Sequence, residues 1–485
     1  MSSSAATRPI DVRSAHPQLL SLEAVEALDL GEVRKLTLAH LNPGQVHFMR
    51  LLGFDKVLIE RAEGVHYIDV KGRRILDFFG GFGAVAFGHN HPRIKAARAR
   101  FEQANRQDIC MAFMSRYAAA LGANLAAIAN AAPGGKGDLD MVFLGSTGSE
   151  AMEAALKIAE QAQGPARATI VYAENSFHGK TKGTLAVTDG ALYRSQFKLP
   201  ENVRRVPFGD LEALRALFAA DASIGALVLE TVQGGGGIIE APTAYWRGVR
   251  QLCDAFDVLW IADEVQCGMG RTGRFFAFEH HGVTPDITAL AKALGGSKTA
   301  MAAMIARRDV FMKAYGQPKK ALIHAPATFG GMGESTATAI EALNILYEER
   351  LIENAASVGE YLIGRLKDIA ARHPALIKEV RGRGLMIGIE FHDFSQAMPF
   401  GLRQMVSLLD DKLKGSLCGF VGAILQAQYD ILVAFTEYNR NVIRLEPPLT
   451  ITTAHVDAFC TALDDLLSRG PIRIVKDYIA TIARG

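Results

Sequence analysis

The chain has 485 residues, of which 49% are hydrophobic and 21% charged, and its formal net charge is +2. That length and composition describe a folded chain of two or three domains, not a disordered one. The near-neutral balance carries no basic stripe, which argues against nucleic acid as a partner. Five cysteines (Cys110, Cys253, Cys267, Cys418 and Cys460) lie far apart with no CxxC pair, so neither a disulfide framework nor a zinc ribbon is expected. The 13 histidines are scattered without a helical zinc pair, so no metal is expected. The first residues, Met1 to Ala6, lead into no apolar signal-peptide core, and a reducing, cytoplasmic home is the expectation.

Residues 1–45 read as a helical arm with two short apolar patches, Leu19 to Leu30 and Val33 to Leu41. From Val57 apolar and polar residues alternate around Glu63-Gly64 and Lys71-Gly72, the pattern of a small antiparallel meander. Residues 46–85 are assigned to the N-terminal part of a smaller domain. From about 115 to 310, short β-rich runs alternate with helical segments. The runs are Met141–Leu144, Thr169–Tyr172, Ala226–Leu229, Val258–Ala262, Ile287–Leu290 and Ala302–Ile305; helices include Glu150–Ala162 and Leu211–Ala219. Such alternation predicts an α/β layer with a mostly parallel sheet, assigned to residues 86–334. Residues 335–485 read as a C-terminal α+β part of the smaller domain. Leu417 to Phe435 is mostly apolar, but Gln426, Gln428 and Asp430 interrupt it. It is read as a buried element, with a substrate-lining or membrane-touching surface as the alternative.

In open α/β sheets ligands sit beyond the carboxyl ends of the strands. Glu230 follows "ALVL", Asp263 follows "VLWIA", Lys292 comes two residues after "DITAL", and Gly145 to Ser149 follows "MVFL" and opens a helix. A small-residue turn at a helix start can bind an anion such as phosphate, here at Gly148 and Ser149. A buried carboxylate can pair with a protonated pyridine nitrogen. A desolvated lysine can form an imine with an aldehyde. Pyridoxal phosphate needs all three together. Each signal alone has a plainer explanation: an exposed lysine, a capping aspartate, an ordinary helix-capping turn.

The run "VLWIADEVQCGMGRTGRFFAFEHHGVTPDITALAKALGG", residues 258–296, closely resembles the signature of class III pyridoxal-phosphate aminotransferases, and "EAALKIAE" (153–160) and "VIRLEPPLTIT" (442–452) look nearest the putrescine and ornithine branch. "FGHNHPRI" (87–94), "GSTGSEAMEAALKIAE" (145–160), "SFHG" (176–179), "ATFGG" (327–331) and "VIRLEPPLTIT" (442–452) resemble further family segments in chain order. The likeness covers about residues 55 to 460. It implies fold type I, with pyridoxal 5'-phosphate held on Lys292 as a Schiff base and Asp263 on the ring nitrogen. Phe177 and His178 would meet the ring, Val265 would pack on its other face, and Gln266 would sit near its phenolic oxygen. Gly148 and Ser149 would bind the phosphate, and Glu230 would support the site. Thr328 would reach the phosphate of a partner subunit, which implies a homodimer with shared active sites.

The same resemblance puts Arg444 at the substrate-carboxylate position. Some members mask that arginine with a glutamate that would fall at Gly235, so Arg444 is expected to be unmasked; Thr231 replaces a common proline. The implied reaction moves nitrogen from an amine donor to a keto-acid or aldehyde acceptor. Phe394, Met398, Phe400 and Phe420 to Leu425, with aromatics around Phe78, Phe79 and Phe82, suggest an alkyl-chain amine or aldehyde ahead of a diamine. Aminomutase, decarboxylase or racemase chemistry on the same scaffold stays open, as does a non-catalytic binding protein. So does contact of residues 1–45 or 417–435 with a carrier protein or membrane.

Overall fold

The structure is a computed structural model and describes residues 19–109, 111–132, 138–320, 328–394, 400–401, 404 and 417–483. Its contacts divide the chain into two compact units, residues 1–58 and 59–485. The first unit contains three helices, Leu22–Glu26, Leu30–His40 and Pro43–Leu51. Asp29 and Glu32 form a reciprocal capping box on the second, and Asn42 caps the third ahead of Pro43. Val46, Leu51 and Leu52 are its buried apolar residues, and Arg34 holds the Asp55 carbonyl at 2.8 Å.

The second unit opens with the expected meander, β1 (Ile59–Glu63), β2 (His66–Asp69) and β3 (Arg74–Asp77). Then come β4 (Leu139–Gly145), β5 (Thr169–Ala173), β6 (Val203–Val206) and β7 (Ile224–Glu230). A two-residue ribbon, β8 (Val232–Gln233) and β9 (Ile239–Glu240), precedes β10 (Leu259–Asp263), β11 (Ile287–Leu290) and β12 (Ala302–Arg307). The last strands are β13 (Ile377–Arg383), β14 (Met386–Phe391), β15 (Ile431–Leu432), β16 (Ala434–Phe435) and β17 (Val442–Leu445).

Seven strands form the main sheet in the order β4-β12-β11-β10-β7-β5-β6. β6, β5, β7, β10 and β11 run parallel, and β12 pairs antiparallel with both β11 and β4. The central strands are apolar throughout because both faces are covered. Ala226, Val228 and Ile261 pack with the helix Gly148–Gln163 on one face. Leu227, Leu229, Trp260 and Ala262 pack on the other, where Trp246 of the helix Thr243–Phe256 stacks on Trp260 at 5.7 Å. The period of two along each strand thus divides one apolar run between two cores.

Six main-sheet strands match the predicted runs to within three residues at each end. β6, sequence VRRV, escapes that reading because Arg204 and Arg205 occupy its middle. It is an edge strand whose polar side chains face out, and Arg205 pairs with Asp189 and Glu174. Two smaller four-stranded sheets accompany the main one, in the orders β1-β2-β3-β15 and β13-β14-β17-β16.

The apolar stretch after residue 416 is a helix, Leu417–Tyr429, buried from Leu417 to Gln426. Its Phe420 ring meets Tyr478 of the helix Pro471–Ala483 at 4.6 Å, so the run is core. Among the described residues no helix is long and apolar enough to cross a membrane. Of the other residues expected in a greasy channel, Phe394 packs partly buried against the main core, Phe400 is 73% exposed, and Met398 lies outside the described residues. Phe420→Ala should therefore cost about 3–5 kcal/mol in urea unfolding while leaving amine preference unchanged. A changed donor preference at unaltered stability would contradict the core assignment.

Candidate active site

Four strand tips converge on one edge of the main sheet. β7 ends on Glu230 and β10 on Asp263, and the two are register partners. β11 is followed by Ala291 and Lys292, and β4 by the helix Gly148–Gln163. Together they open onto a cavity of about 370 Å³. Its lining includes Lys292, Asp263, Glu230, Val265 and Gln266. Gly148, Ser149, Phe177 and His178 line it as well. Nine residues chosen from separate stretches of sequence thus meet in one hollow.

At one end stands the start of the helix Gly148–Gln163. Thr147 caps it by accepting the Glu150 N–H, and Glu150 Oε2 accepts the Ser146 N–H at 2.6 Å. The Gly148 and Ser149 amides come next, and first-turn amides have no carbonyl one turn back to bind. A Cβ on Gly148 would lie 2.9 Å from Val265 Cγ1, so a side chain there would collide with the cavity wall. These are the requirements of a phosphate cup.

At the other end Asp263 is held on both oxygens. Val265 N–H donates to Oδ1 at 3.0 Å, and His178 Nδ1 lies 2.7 Å from Oδ2. His178 Nε2 is buried and has no partner of its own. Glu230 accepts the Phe177 N–H at 2.9 Å and the Gly234 N–H at 3.3 Å. Burial pushes the Glu230 carboxyl well above its ordinary range, and neighbouring Asp263 pushes the same way; the two N–H donors and Lys292 oppose them.

Lys292 has a left-handed backbone, φ 46°, which costs a non-glycine residue roughly 1–2 kcal/mol. Its ammonium makes no ion pair or hydrogen bond among the described residues. Burial lowers its proton affinity below the usual lysine range and Arg444 adds to this, while Glu446, Asp263 and Glu230 act the other way. Such an amine is readied to lose its proton and attack an aldehyde. The cup, the buried acid and the desolvated lysine fit a phosphate-bearing pyridine aldehyde.

Arg444 and Phe82 lie just outside the cavity lining. Arg444 is 2% exposed, and its guanidinium sits under the Phe82 ring at 4.6 Å. The expectation of an unmasked arginine is corrected here. Nε lies 3.3 Å from Glu446 Oε2, and Nη2 lies 3.8 Å from Glu437 Oε2. A Cβ on Gly235 would come within 3.3 Å of that same Glu437 oxygen. The space a side chain at 235 would enter is bordered by a carboxylate from a segment two hundred residues away. Among the described residues, Nε and Nη2 have no hydrogen-bond partner, nor does Glu446 Oε1. Glu446 also accepts from Gln266 Nε2 at 3.0 Å. Thr328 is exposed and does not line the cavity of its own chain.

Sequence reasoning missed Glu437, Glu446 and the lining residues Thr299 to Met301. Glu446 stands inside the quoted "RLEPPLT", where its acid next to Arg444 was the available signal. It also missed the use of Glu264, which is 1% exposed. That carboxylate accepts from Thr231 Oγ1 at 2.5 Å, Ala277 N at 2.8 Å, Phe278 N at 3.2 Å and Cys267 Sγ at 3.3 Å. Burial pushes it up to about 7 despite these four donors.

Residues 53–467 match the class-III aminotransferase family. Among curated proteins, aminotransferase PigE of Serratia sp. is 34% identical over 93% of this chain. The chain spans about half of that relative's length, 55%. Among solved structures, the ornithine aminotransferase of Toxoplasma gondii ME49 superposes with a TM-score of 0.76 at 26% identity, covering 96% of this chain and 98% of that one. A transaminase from the marine bacterium Virgibacillus superposes with a TM-score of 0.75 at 25% identity, covering 87% and 94%.

The raised carboxyl of Glu264 gives a pH test. It binds its proton more readily folded than unfolded, so its destabilising contribution is absent below the ordinary value of 4.5. It grows as pH rises and is complete above about 7. The full effect is on the order of 3 kcal/mol. The urea midpoint of the unaltered chain, measured relative to Glu264→Gln, should fall between about pH 5 and about pH 8. A constant gap across that range would refute it.

Proposed function

The chain belongs to the class-III aminotransferase family, and from that premise we propose that it moves an amino group between a terminal amine, or its aldehyde, and a keto acid in two alternating half-reactions. Enzymes of this family are aminotransferases that use pyridoxal 5'-phosphate. When bound, the cofactor carries the nitrogen and withdraws electrons from the reacting carbon. The observation that carries the reading is the meeting of Lys292, Asp263 and the Gly148–Ser149 turn in one cavity.

The roles follow from each group's chemistry. Lys292 would hold the cofactor through its aldehyde, and its Nζ, desolvated in the cavity, would serve as the base that moves a proton at the reacting carbon. Asp263, oriented by His178 and the Val265 amide, keeps the ring nitrogen protonated. Of the cavity residues, Phe177 and Val265 would bear on the ring, Gln266 would serve its oxygen, and the Gly148 and Ser149 amides would hold the phosphate. Glu230 holds the Phe177 backbone in place. Thr328 is exposed and does not line its own chain's cavity, and it would reach the phosphate held by a second copy in a homodimer.

Donor choice rests on Arg444. Its charge is balanced by Glu446 and Glu437, so Arg444 is not left free to pair with a carboxylate beside the reacting amine. That favours terminal amines over α-amino acids as donors. A keto acid engages Arg444 by displacing Glu437, whose side chain is 25% exposed, while Glu446 is fully buried and stays. The alkyl-chain version has less support, because Phe420 to Leu425 pack in the core and line no part of the cavity. Diamines and short alkyl amines therefore stand level.

Lys292→Ala should abolish the visible absorbance of the bound cofactor and lower transamination by about a thousandfold or more. A persisting band would mean that another amine holds the cofactor. Glu437→Gln should speed the keto-acid half-reaction by about fivefold, read by stopped-flow with pyruvate or 2-oxoglutarate, while slowing that with a terminal diamine. An equal loss in both halves would show that Glu437 does not govern Arg444.

A further inference from the structure

Glu264 and Thr231 stand one residue beyond the two buried acids of the cavity, and neither has a part in the chemistry above. The last backbone pair of β7 and β10 is Glu230 with Asp263. That pairing sets two carboxyl groups side by side in the interior, where each disfavours the other's charge and their positions need to be held. Immediately past it, the Thr231 hydroxyl donates to Glu264 Oε1 at 2.5 Å, joining the same two tips. Both residues are 1% exposed.

The rest of the Glu264 carboxylate is anchored. Ala277 N–H and Phe278 N–H reach it from the start of the short 3-10 helix Ala277–His281, and Cys267 Sγ from the turn after β10. No cation is among its hydrogen-bond partners. A buried carboxylate held only by neutral donors is costly, and its side-chain donors mainly fix where it sits. What it fixes is specific. Asp263 precedes it, and Val265 and Gln266 follow it into the cavity. Across the tie, Glu230 precedes Thr231 and holds the Phe177 backbone. One hydrogen bond therefore couples the strand bearing Asp263 and Val265 to the strand that positions Phe177.

We propose that the Thr231–Glu264 hydrogen bond is the spacer that sets the separation of the β7 and β10 tips, and with it how firmly the cavity grips the cofactor ring. Both are positioning residues, since neither lines the cavity as Asp263 does. The proposal rests on the assignment of this cavity to pyridoxal phosphate.

The test uses the full-length chain stripped of cofactor and titrated with pyridoxal phosphate, following the visible band. Thr231→Val keeps the shape and removes the donor. It should weaken cofactor binding about tenfold, as expected for one hydrogen bond to a charged group. It should also move the pH at which the visible band converts, because Asp263 shifts against the ring nitrogen. Thr231→Ser keeps the hydroxyl and should bind as the unaltered chain does. Thr231→Val with unchanged affinity and an unmoved band overturns the proposal, even if thermal stability falls, because a purely structural contact would behave that way. If Thr231→Val does not fold, Thr231→Ala against Thr231→Ser makes the same comparison. A Lys292→Ala chain that keeps the band would instead overturn the cavity assignment beneath it.

Discussion

The in-register pairing of Glu230 with Asp263 is the constraint around which the site is built. Parallel strands with both faces covered leave their carboxyl tips as the place where polar chemistry can emerge. Two acids side by side there are unfavourable unless their surroundings supply donors or positive charge. Asp263 receives His178 and the Val265 amide, and Glu230 receives the Phe177 and Gly234 amides. Lys292 opposes the upward push on Glu230, and Glu230 in turn steadies the Lys292 ammonium. The groups that answer this charge problem are the ones to which the proposed cofactor chemistry is assigned.

The same crowding explains the glycines. A Cβ on Gly234 would stand 1.7 Å from Gln266 Oε1, so any side chain there would break the Gln266–Glu446 bond. The wall next to Glu230 is consequently made of backbone. That brings amide N–H groups within reach of a carboxylate and leaves the hollow its width. Removing side chains from this wall also opened the space that Glu437 borders beside Gly235.

Much of this was legible in the sequence, for a physical reason. Strand tips announce themselves as apolar runs that end abruptly on Glu230 or Asp263 or just before Lys292, and the helix start at Gly148 as a run of small residues at one of those tips. Those signals are local. β6 was missed because two outward arginines hide an edge strand. The Phe420 to Leu425 run was open to misreading because core and greasy channel have one composition. Only its packing on Tyr478 separates them. Glu437, Thr231 and Glu264 were illegible for a third reason. Each acts through one side-chain oxygen meeting a residue far off in sequence, and the sequence does not encode that proximity in any short pattern.

Arg444 shows how far a local departure can mislead. The absence of a side chain at Gly235 reads, in isolation, as an arginine left without a counter-charge. In the fold, β17 carries Arg444 with Glu446 two residues on, and the turn before it carries Glu437. The charge is balanced from the arginine's own segment instead of from across the sheet. This changes what the balance can do. Glu446 is fixed by complete burial and by Gln266, whereas Glu437 sits on a short turn with part of its side chain in solvent. A fixed acid lowers the arginine's pull on every substrate alike. An acid that can leave lowers it only until a carboxylate arrives to take its place. In the proposed reaction, discrimination between an amine donor and a keto-acid acceptor would therefore depend less on Arg444 itself than on the unequal burial of the two carboxylates beside it.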